Sequence, residues 1–376
     1  MKKYSFPFII VILCVLFCSC KQKKFFSDDE YLAFINQLMQ DLNQENPHSI
    51  NQSVNIDAFA ERISEKEPSF DKKKLTQFLQ THFKPGNTML EFITEGADIR
   101  FIRFYRQNDT AHAVFRTYYN GGISVEDWEF GQKDGQITIN DAFSVVSGIH
   151  WSDDWHIKAC SYFNIVSDYT ILVDQLMEIN AMISKGEYNK ADSAFFWIEQ
   201  ACKNNLYGRT MQLNLTSLHL SYAEMQEVAF NFLKTFPQHK HISEFYLLQS
   251  AIVNGLSDKV DQHVANLNPL LGKDPIYFVY QSWALNHAKR LDESLQMLDS
   301  AILYMPQVYD FYHNKLDLYY ETGKYTELIK QLYIIDSIFA PTDKDVPFFE
   351  NNYPELRNMK EFNEWKSNRL LTQNTY

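Results

Sequence analysis

Two segments near the C-terminus share one pattern: residues 291–306 read LDESLQMLDSAILYMP and residues 325–341 read YTELIKQLYIIDSIFAP. Each begins with a large apolar residue, carries apolar residues at helical spacing and ends at a proline. Related segments begin at Tyr188, Tyr222 and Leu256, so that successive starts lie 34, 34, 35 and 34 residues apart. Self-similarity at such a period is typical of helical repeat proteins. We therefore predict about five two-helix repeats over residues 165–342.

Glycine, proline and small residues lie where such repeats need them. Gly186 and Gly323 would end first helices, in a backbone conformation that favours glycine. The other positions are the prolines that would end second helices, Pro237, Pro306 and Pro341, and the small residues where two helices would cross, Ala191, Ala229 and Ala301. These residues resemble the tetratricopeptide repeat, a helix–turn–helix unit. The resemblance covers about residues 172–342 and implies an all-α solenoid.

The resemblance also implies a binding surface, because the first helices of tetratricopeptide repeats line a concave face. The residues that the register assigns to this face are Asn180, Asn214, Glu244, Trp283, Asn286, His287, His313, Asp317 and Tyr320. This polar and aromatic set suits recognition of a protein or peptide partner. Asn180 and Asn214 are 34 residues apart and could form a ladder along an extended backbone. The alternative is that these are ordinary solvated positions, with Trp283 buried in packing.

Residues 343–376 are predicted to form a capping helix and a tail. Apolar residues from Leu356 to Trp365 recur about every three positions, as on one face of a helix. A solenoid needs such a terminal unit, because its last repeat would otherwise expose an apolar face.

Residues 27–160 follow a different pattern. Ser27 and Glu30 form a predicted capping box at the start of a helix, and a second helix is predicted from about Asp71. From about Met89 the apolar period changes to two, with turn signals at residues 108–109, 120–122 and 134–135. Helices followed by short strands predict an α+β domain with an antiparallel sheet. The order is similar to that of cystatin-like or nuclear-transport-factor-like sheets, in topology only.

Residues 1–19 resemble a bacterial lipoprotein signal peptide. Lys2 and Lys3 precede an apolar stretch that is too short to span a bilayer, and Ser19 stands before Cys20. The resemblance implies a diacylglycerol anchor on Cys20, with residues 20–26 as a tether. It predicts a tetratricopeptide-type lipoprotein of the Gram-negative cell envelope, held at the outer membrane. An ordinary signal peptide or an N-terminal anchor helix is the alternative.

Charge and cysteine content exclude several classes of function. The formal net charge of −12 repels phosphate backbones, so we expect no nucleic-acid partner. With Cys20 assigned to lipidation and Cys14 and Cys18 to the signal, only Cys160 and Cys202 remain for the folded part. Two distant cysteines form no metal motif. Whether they pair or stay as buried thiols is left open by the sequence.

The segment His150-Trp151-Ser152-Asp153-Asp154-Trp155-His156 concentrates polar chemistry. Its two histidines and two carboxylates could ligate a metal or act as an acid–base pair. The alternative is a polar linker in which Ser-Asp-Asp caps the following helix. The spacing matches no metal motif, and the chain shows no phosphate loop, nucleophile elbow or dinucleotide fingerprint. We therefore predict no catalytic residues, no metal and no cofactor.

These observations lead to three hypotheses of function. The first is a non-catalytic envelope lipoprotein whose solenoid binds a protein or peptide partner and scaffolds an envelope complex. The second is a glycan- or nutrient-binding lipoprotein of an outer-membrane uptake system, which would want exposed aromatic platforms. The third is a hydrolase, which would need the 150–156 segment to converge with other acids in a deep pocket.

Overall fold

The computed structural model describes residues 26–119, 121–339 and 345–373. Within these ranges, helices are followed by one antiparallel sheet and then by a long run of helices, which confirms the predicted α+β region followed by an all-α solenoid. Cys20 lies outside the described residues. The helices before the sheet are α1 (Asp28–Asn43), α2 (His48–Ser53), α3 (Ile56–Lys66), α4 (Lys72–His82) and α5 (Pro85–Thr94). The Ser27–Glu30 capping box at the start of α1 forms as predicted.

The sheet is a meander in which each strand pairs with the next along the chain. Its strands are β1 (Asp98–Gln107), β2 (Thr110–Tyr119), β3 (Gly122–Lys133), β4 (Gln136–Ser144) and the short β5 (Ile149–His150). The hairpin turns fall at the predicted signals. Asn108, Asp109 and Asp134 adopt positive φ, which asparagine and aspartate tolerate better than most residues.

Both faces of the sheet are covered. Phe115 and Trp128 pack with α1, α2 and α5 on one face. Val114, Tyr118 and Val125 point the other way and share a hydrophobic cluster with solenoid residues such as Phe311. This two-sided burial follows from the period of two along each strand. The sheet is therefore the middle layer of the molecule, and one hydrophobic cluster extends across the predicted boundary near residues 160–165.

The solenoid contains five consecutive helix pairs within the described residues. After α6 (Trp151–Phe163), the pairs are α7 (Asp168–Ser184) with α8 (Tyr188–Cys202), α9 (Leu206–His219) with α10 (Tyr222–Thr235), α11 (Lys240–Val253) with α12 (Ser257–Leu271), α13 (Ile276–His287) with α14 (Leu291–Tyr304), and α15 (Tyr309–Glu321) with α16 (Tyr325–Ile338). Each second helix begins at a predicted repeat start or one residue after it. Gly186 and Gly323 have positive φ between the two helices of a pair, whereas Lys289 holds that conformation in the fourth pair.

Small residues and thiols are buried within the helix packing. Ala191, Ala229 and Ala301, predicted to lie at helix crossings, are all almost fully buried. Cys160 and Cys202 are both buried free thiols, in two separate hydrophobic clusters. Burial raises the pKa of each thiol to about 11. No helix within the described residues combines the length and apolar content that crossing a bilayer requires.

The C-terminal cap is more broken than the single helix predicted by the sequence. It consists of α17 (Asp345–Asn352), a 3₁₀ turn (Pro354–Asn358) and α18 (Lys360–Gln373). Met359 takes extended backbone between the turn and α18, which separates the two. Phe349, Phe362 and Trp365 are buried against the last helix pair, so the segment covers the end of the solenoid as a cap should.

Candidate functional site

A cavity of about 800 Å³ lies between the solenoid and the sheet. The first helices of four successive pairs, α9, α11, α13 and α15, line its walls. The turn between β2 and β3 closes one side, with Gly121, Gly122 and Ile123 among the lining residues. We call this space the groove cavity. The first helices of these pairs therefore share the cavity with the sheet.

Two contacts hold the β2–β3 hairpin against the solenoid, and a third holds the segment that follows β4. The Gly121 N–H donates a hydrogen bond to Oδ2 of Asp310 on α15, at 3.0 Å. The ring of Tyr118 packs on that of Phe311, with 5.1 Å between ring centroids. Burial, and after it the nearby Asp310 carboxylate, raises the pKa of Tyr118. The Tyr246 hydroxyl donates to the Val146 carbonyl at 2.5 Å and fixes the segment that follows β4.

The groove cavity is mostly apolar, with a few polar groups. Phe245, Leu248 and Ile252 supply apolar surface from α11. Polar atoms come from residues on three different helices: Gln249, His287, Asp310, His313 and Asn314. Nε2 of His313 is buried without a hydrogen-bond partner among the described residues. An apolar pocket with a small number of polar groups is the usual form of a ligand site.

Three of the predicted partner-binding residues line the groove cavity: Trp283, His287 and His313. Trp283 is half-buried and meets Tyr280 edge to face, with ring centroids 6.0 Å apart, so its ring serves both packing and cavity wall. Asn286 is half-buried beside His287 at the end of α13 and does not line the cavity.

Asp317 and Tyr320 lie further along α15 and bond to the C-terminal cap. The Tyr353 hydroxyl donates to Oδ1 of Asp317 at 2.7 Å, and the Tyr320 hydroxyl donates to Glu355. The hydrogen bond to Glu355 raises the pKa of Tyr320 to about 12. Both residues therefore contribute to attachment of the cap and not to the wall of the groove cavity.

Glu244 on α11 is buried and bonds within its own helix pair. Its Oε2 lies 2.8 Å from Nδ1 of His263 and accepts from the Asn266 side-chain amide at 3.0 Å, both on α12. Burial acts to raise the pKa of Glu244, but these hydrogen bonds outweigh it and the net shift is downward. Glu244 therefore links α11 to α12, and its contact with a partner stays a prediction.

The asparagine pair does not meet the groove cavity. Asn180 is exposed on α7, and Asn214 is half-buried on α9. Neither side chain lines the cavity. A ladder along these two residues therefore stays a prediction.

The two histidines of the 150–156 segment go to different places. His150 lines a second cavity of about 420 Å³, together with Asp127, Glu129 and Asp141. His156 is buried on α6, where its ring stacks on Tyr169. Among the described residues, no group of three or more His, Cys, Asp or Glu side chains is arranged to hold a metal ion.

The carboxylates of this second cavity already have partners. Arg62 donates to Glu129 and to Asp141, the latter at 2.8 Å. Asp141 also accepts from the Ser152 hydroxyl at 2.6 Å, and Asp127 contacts Tyr105 and His112. These contacts hold α3 and α6 on the sheet and leave few free lone pairs for acid–base chemistry.

Comparison with known proteins does not assign this chain to a family. No family model, curated protein or solved structure matches this chain. The residues that sequence reasoning missed are therefore known from geometry alone. Gly121 and Gly122 were interpreted only as a turn, and Gln249 and Asp310 carried no signal, because the sequence does not show that the hairpin reaches the solenoid.

Proposed function

We propose that this chain is a non-catalytic lipoprotein of the cell envelope whose groove cavity binds a short segment of a protein or peptide partner. The lining of the groove cavity carries this proposal, because an apolar pocket with a small number of polar side chains is the usual form of a ligand site. A peptide offers backbone N–H and C=O groups to the polar side chains and apolar side chains for the remaining surface.

The chemistry of the cavity favours a peptide over a sugar. A glycan presents many hydroxyl groups, each of which needs a polar partner on leaving water. The walls supply apolar surface from Phe245, Leu248 and Ile252 and few polar groups. The exposed edge of Trp283 favours the second candidate, a substrate-binding lipoprotein, since aromatic faces suit sugar rings. Binding of a free monosaccharide or oligosaccharide at this site would support that second candidate.

The non-catalytic part of the proposal is supported by the state of the acidic groups. Asp127, Glu129 and Asp141 are held by neighbouring side chains, and two of them share Arg62. A general base needs a free lone pair within reach of substrate. The envelope location depends on the Ser19-Cys20 signal alone. Replacement of Cys20 by alanine should release the protein from detergent-extractable membranes, and unchanged membrane association would contradict the anchor.

Site-specific cross-linking in native membranes tests the groove. A photo-activatable phenylalanine replaces the exposed cavity residue His287, and a second protein carries it at Gln226, exposed on α10 away from the cavity. We expect one discrete adduct at position 287 that is absent at position 226. Proteolysis of the adduct should yield a single short partner segment.

A cavity-filling variant is the companion experiment. Gln249→Trp adds an indole inside the groove cavity, whereas Gln226→Trp adds the same group to the surface. We expect the adduct at position 287 to vanish with Gln249→Trp and to persist with Gln226→Trp, at unchanged helical content. An adduct that persists in both variants would show that the partner does not enter the cavity.

A further inference from the structure

A separate cavity of about 530 Å³ lies on the opposite face of the sheet from most of the solenoid. The end of α4, helix α5 and helix α6 form its walls, and β2 and β3 form its floor. We call it the sheet cavity. Apart from Gly122 and Ile123 of the hairpin, it shares no lining residue with the groove cavity. A ligand of the sheet cavity would therefore be separate from a partner in the groove cavity.

The floor of the sheet cavity carries a carboxylate, Glu126 on β3. Alternation along the strand turns Glu126 to this side and Val125 and Asp127 to the other. The Trp128 indole N–H donates to its Oε2 at 3.0 Å, and the Trp151 indole N–H donates to its Oε1 at 3.4 Å. Two neutral donors therefore fix the carboxyl group in one orientation at the base of the cavity.

Glu126 has no positive counterpart within the residues that the structure describes. No lysine, arginine or histidine there lies within ion-pair distance of its oxygens. Burial raises the pKa of Glu126, and the two indole hydrogen bonds only partly offset this. A half-buried carboxylate without a counter-charge is costly, because part of its hydration is lost without compensation.

The walls around Glu126 are aromatic. Trp151, Trp155 and Phe83 pack together, with the Phe83 and Trp155 centroids 5.0 Å apart. Phe92 and Tyr119 form another part of the wall, at 5.4 Å. Aromatic faces attract cations through the ring quadrupole. The chain already uses this attraction at the rim, where Nζ of Lys158 lies 4.8 Å from the centroid of Trp155.

The two lysines at the rim already have polar contacts. Lys158 forms an ion pair with Asp154 at 2.6 Å, and Nζ of Lys84 donates to the Gln80 carbonyl at 2.5 Å. An anionic ligand would therefore compete for charges that have partners and would bring its charge towards Glu126. A cationic ligand would meet an unpaired carboxylate and aromatic faces.

We propose that the sheet cavity binds a small organic cation, an amine or quaternary ammonium with an apolar body, whose charged group contacts Glu126. The ammonium supplies the positive charge that Glu126 lacks among the described residues. The apolar body fills the remaining space against Trp151, Trp155 and Phe92. The volume lies within the range of small-molecule sites.

Binding of matched probes to the full-length protein tests this site. The probes are phenethylammonium and 2-phenylethanol, which differ mainly in the charged group. Calorimetry and quenching of tryptophan fluorescence report binding next to Trp151 and Trp155. We expect the cation to bind at least about tenfold more tightly than the alcohol, the difference that one charge-assisted contact supplies.

Variants locate the effect at the carboxylate. Glu126→Gln should weaken phenethylammonium binding by at least about tenfold and leave 2-phenylethanol binding unchanged. Glu91→Gln, at an exposed position on α5, removes the same charge outside the cavity and should change neither affinity. Ser124→Lys, on the same face of β3, places a cation of the chain beside Glu126 and should abolish the preference for the charged probe.

Three results would overturn the proposal. The first is equal affinity for the two probes, the second is wild-type binding of phenethylammonium by Glu126→Gln, and the third is wild-type preference in Ser124→Lys. Circular dichroism and the melting temperature establish that each variant is folded. Because Ser124→Lys keeps Glu126 itself, it tests the contact with the cation even where Glu126→Gln disturbs the floor of the cavity.

Discussion

Arg116 on β2 and Asp274 in the loop before α13 form an ion pair between the sheet and the solenoid, with 3.2 Å between Nη2 and Oδ2. Asp98 on β1 accepts from the other guanidinium nitrogen. All three side chains are almost fully buried. The group joins residues 158 positions apart and lies where the apolar layers of the two halves meet.

Removal of the central cation should be strongly destabilising. Arg116→Met leaves the Asp274 carboxylate buried without its cation, whereas Asp98 keeps its ion pair with Arg100. We expect a loss of about 3–5 kcal/mol in the free energy of unfolding. Lys133→Met is the control, because its ion pair with Asp57 is exposed and should contribute about 0–1 kcal/mol. Urea denaturation of both variants measures the difference. Similar small losses would mean that the buried group contributes little.

Separation of the two halves should weaken the solenoid. Residues 165–376 expressed alone should remain strongly helical, since each pair still packs on its neighbours. They should nevertheless unfold at a lower temperature than the full chain and bind hydrophobic dyes, because Phe311, Tyr280 and Ile242 lose their cover from the sheet. A fragment with the stability of the full chain and no dye binding would contradict this expectation.

Lys289 is a site for simple stabilisation. It lies between the helices of the fourth pair with φ of 60°, where other pairs use Gly186, Gly255 or Gly323. Left-handed backbone costs a non-glycine residue roughly 1 kcal/mol, so Lys289→Gly should stabilise the fold by about that amount. Lys330→Gly in the middle of α16 should instead destabilise it by about 1 kcal/mol. Thermal unfolding of the two variants gives the signs.

Ala301 tests the packing within a repeat. It is fully buried on α14, so Ala301→Leu forces extra volume into a filled contact and should cost about 1–3 kcal/mol. Ser300→Leu changes the neighbouring half-buried residue and should cost much less. Chemical denaturation compares them, and equal costs would indicate that the contact at Ala301 is loosely packed.

His156 should make stability depend on pH. Burial lowers its pKa below the ordinary 6.5, and both ring nitrogens lack hydrogen-bond partners among the described residues. The imidazole is therefore protonated more readily in the unfolded chain than in the folded chain. As a result, the free energy of unfolding falls as the pH drops below about 6.5. His156→Phe keeps an aromatic ring stacked on Tyr169 and removes the titrating imidazole.

Melting temperatures at pH 5 and pH 7.5 measure the effect of His156→Phe. We expect the variant to lose less stability than the wild type between the two values. Some dependence should remain, because burial also lowers the pKa of His239 and His241. An unchanged difference between the two pH values would show that His156 does not contribute to it.

The repeats could be predicted from the sequence because each repeat is local. Tyr188, Tyr222 and Leu291 begin second helices where the spacing indicated, since the residues that bury each helix lie within one period. The same register identified Trp283, His287 and His313, which do line a cavity. Local patterns were sufficient wherever the deciding contacts were close in sequence.

The contacts between the sheet and the solenoid could not be predicted in this way. Arg116 stands in an alternating strand, where a charged residue is usually interpreted as solvent-facing, and its partner Asp274 lies in a distant loop. Glu126 would also be interpreted as solvent-facing, because its hydrogen bond with Trp151 joins residues that are distant in sequence. The site residues that were missed depend on this long-range packing.

The middle position of the sheet changes the mechanics of the solenoid. A stack of repeats that contact only their neighbours is flexible, because small rotations at the interfaces between repeats add up along the stack. Here the sheet and its β4–β5 turn reach from the second pair, where Gly148 lies against Thr210, to the fifth, where Tyr118 lies against Phe311. Because it contacts both ends of this stretch, the sheet resists stretching and twisting of these four pairs. The groove cavity should therefore keep one shape, and a partner must fit that shape to bind.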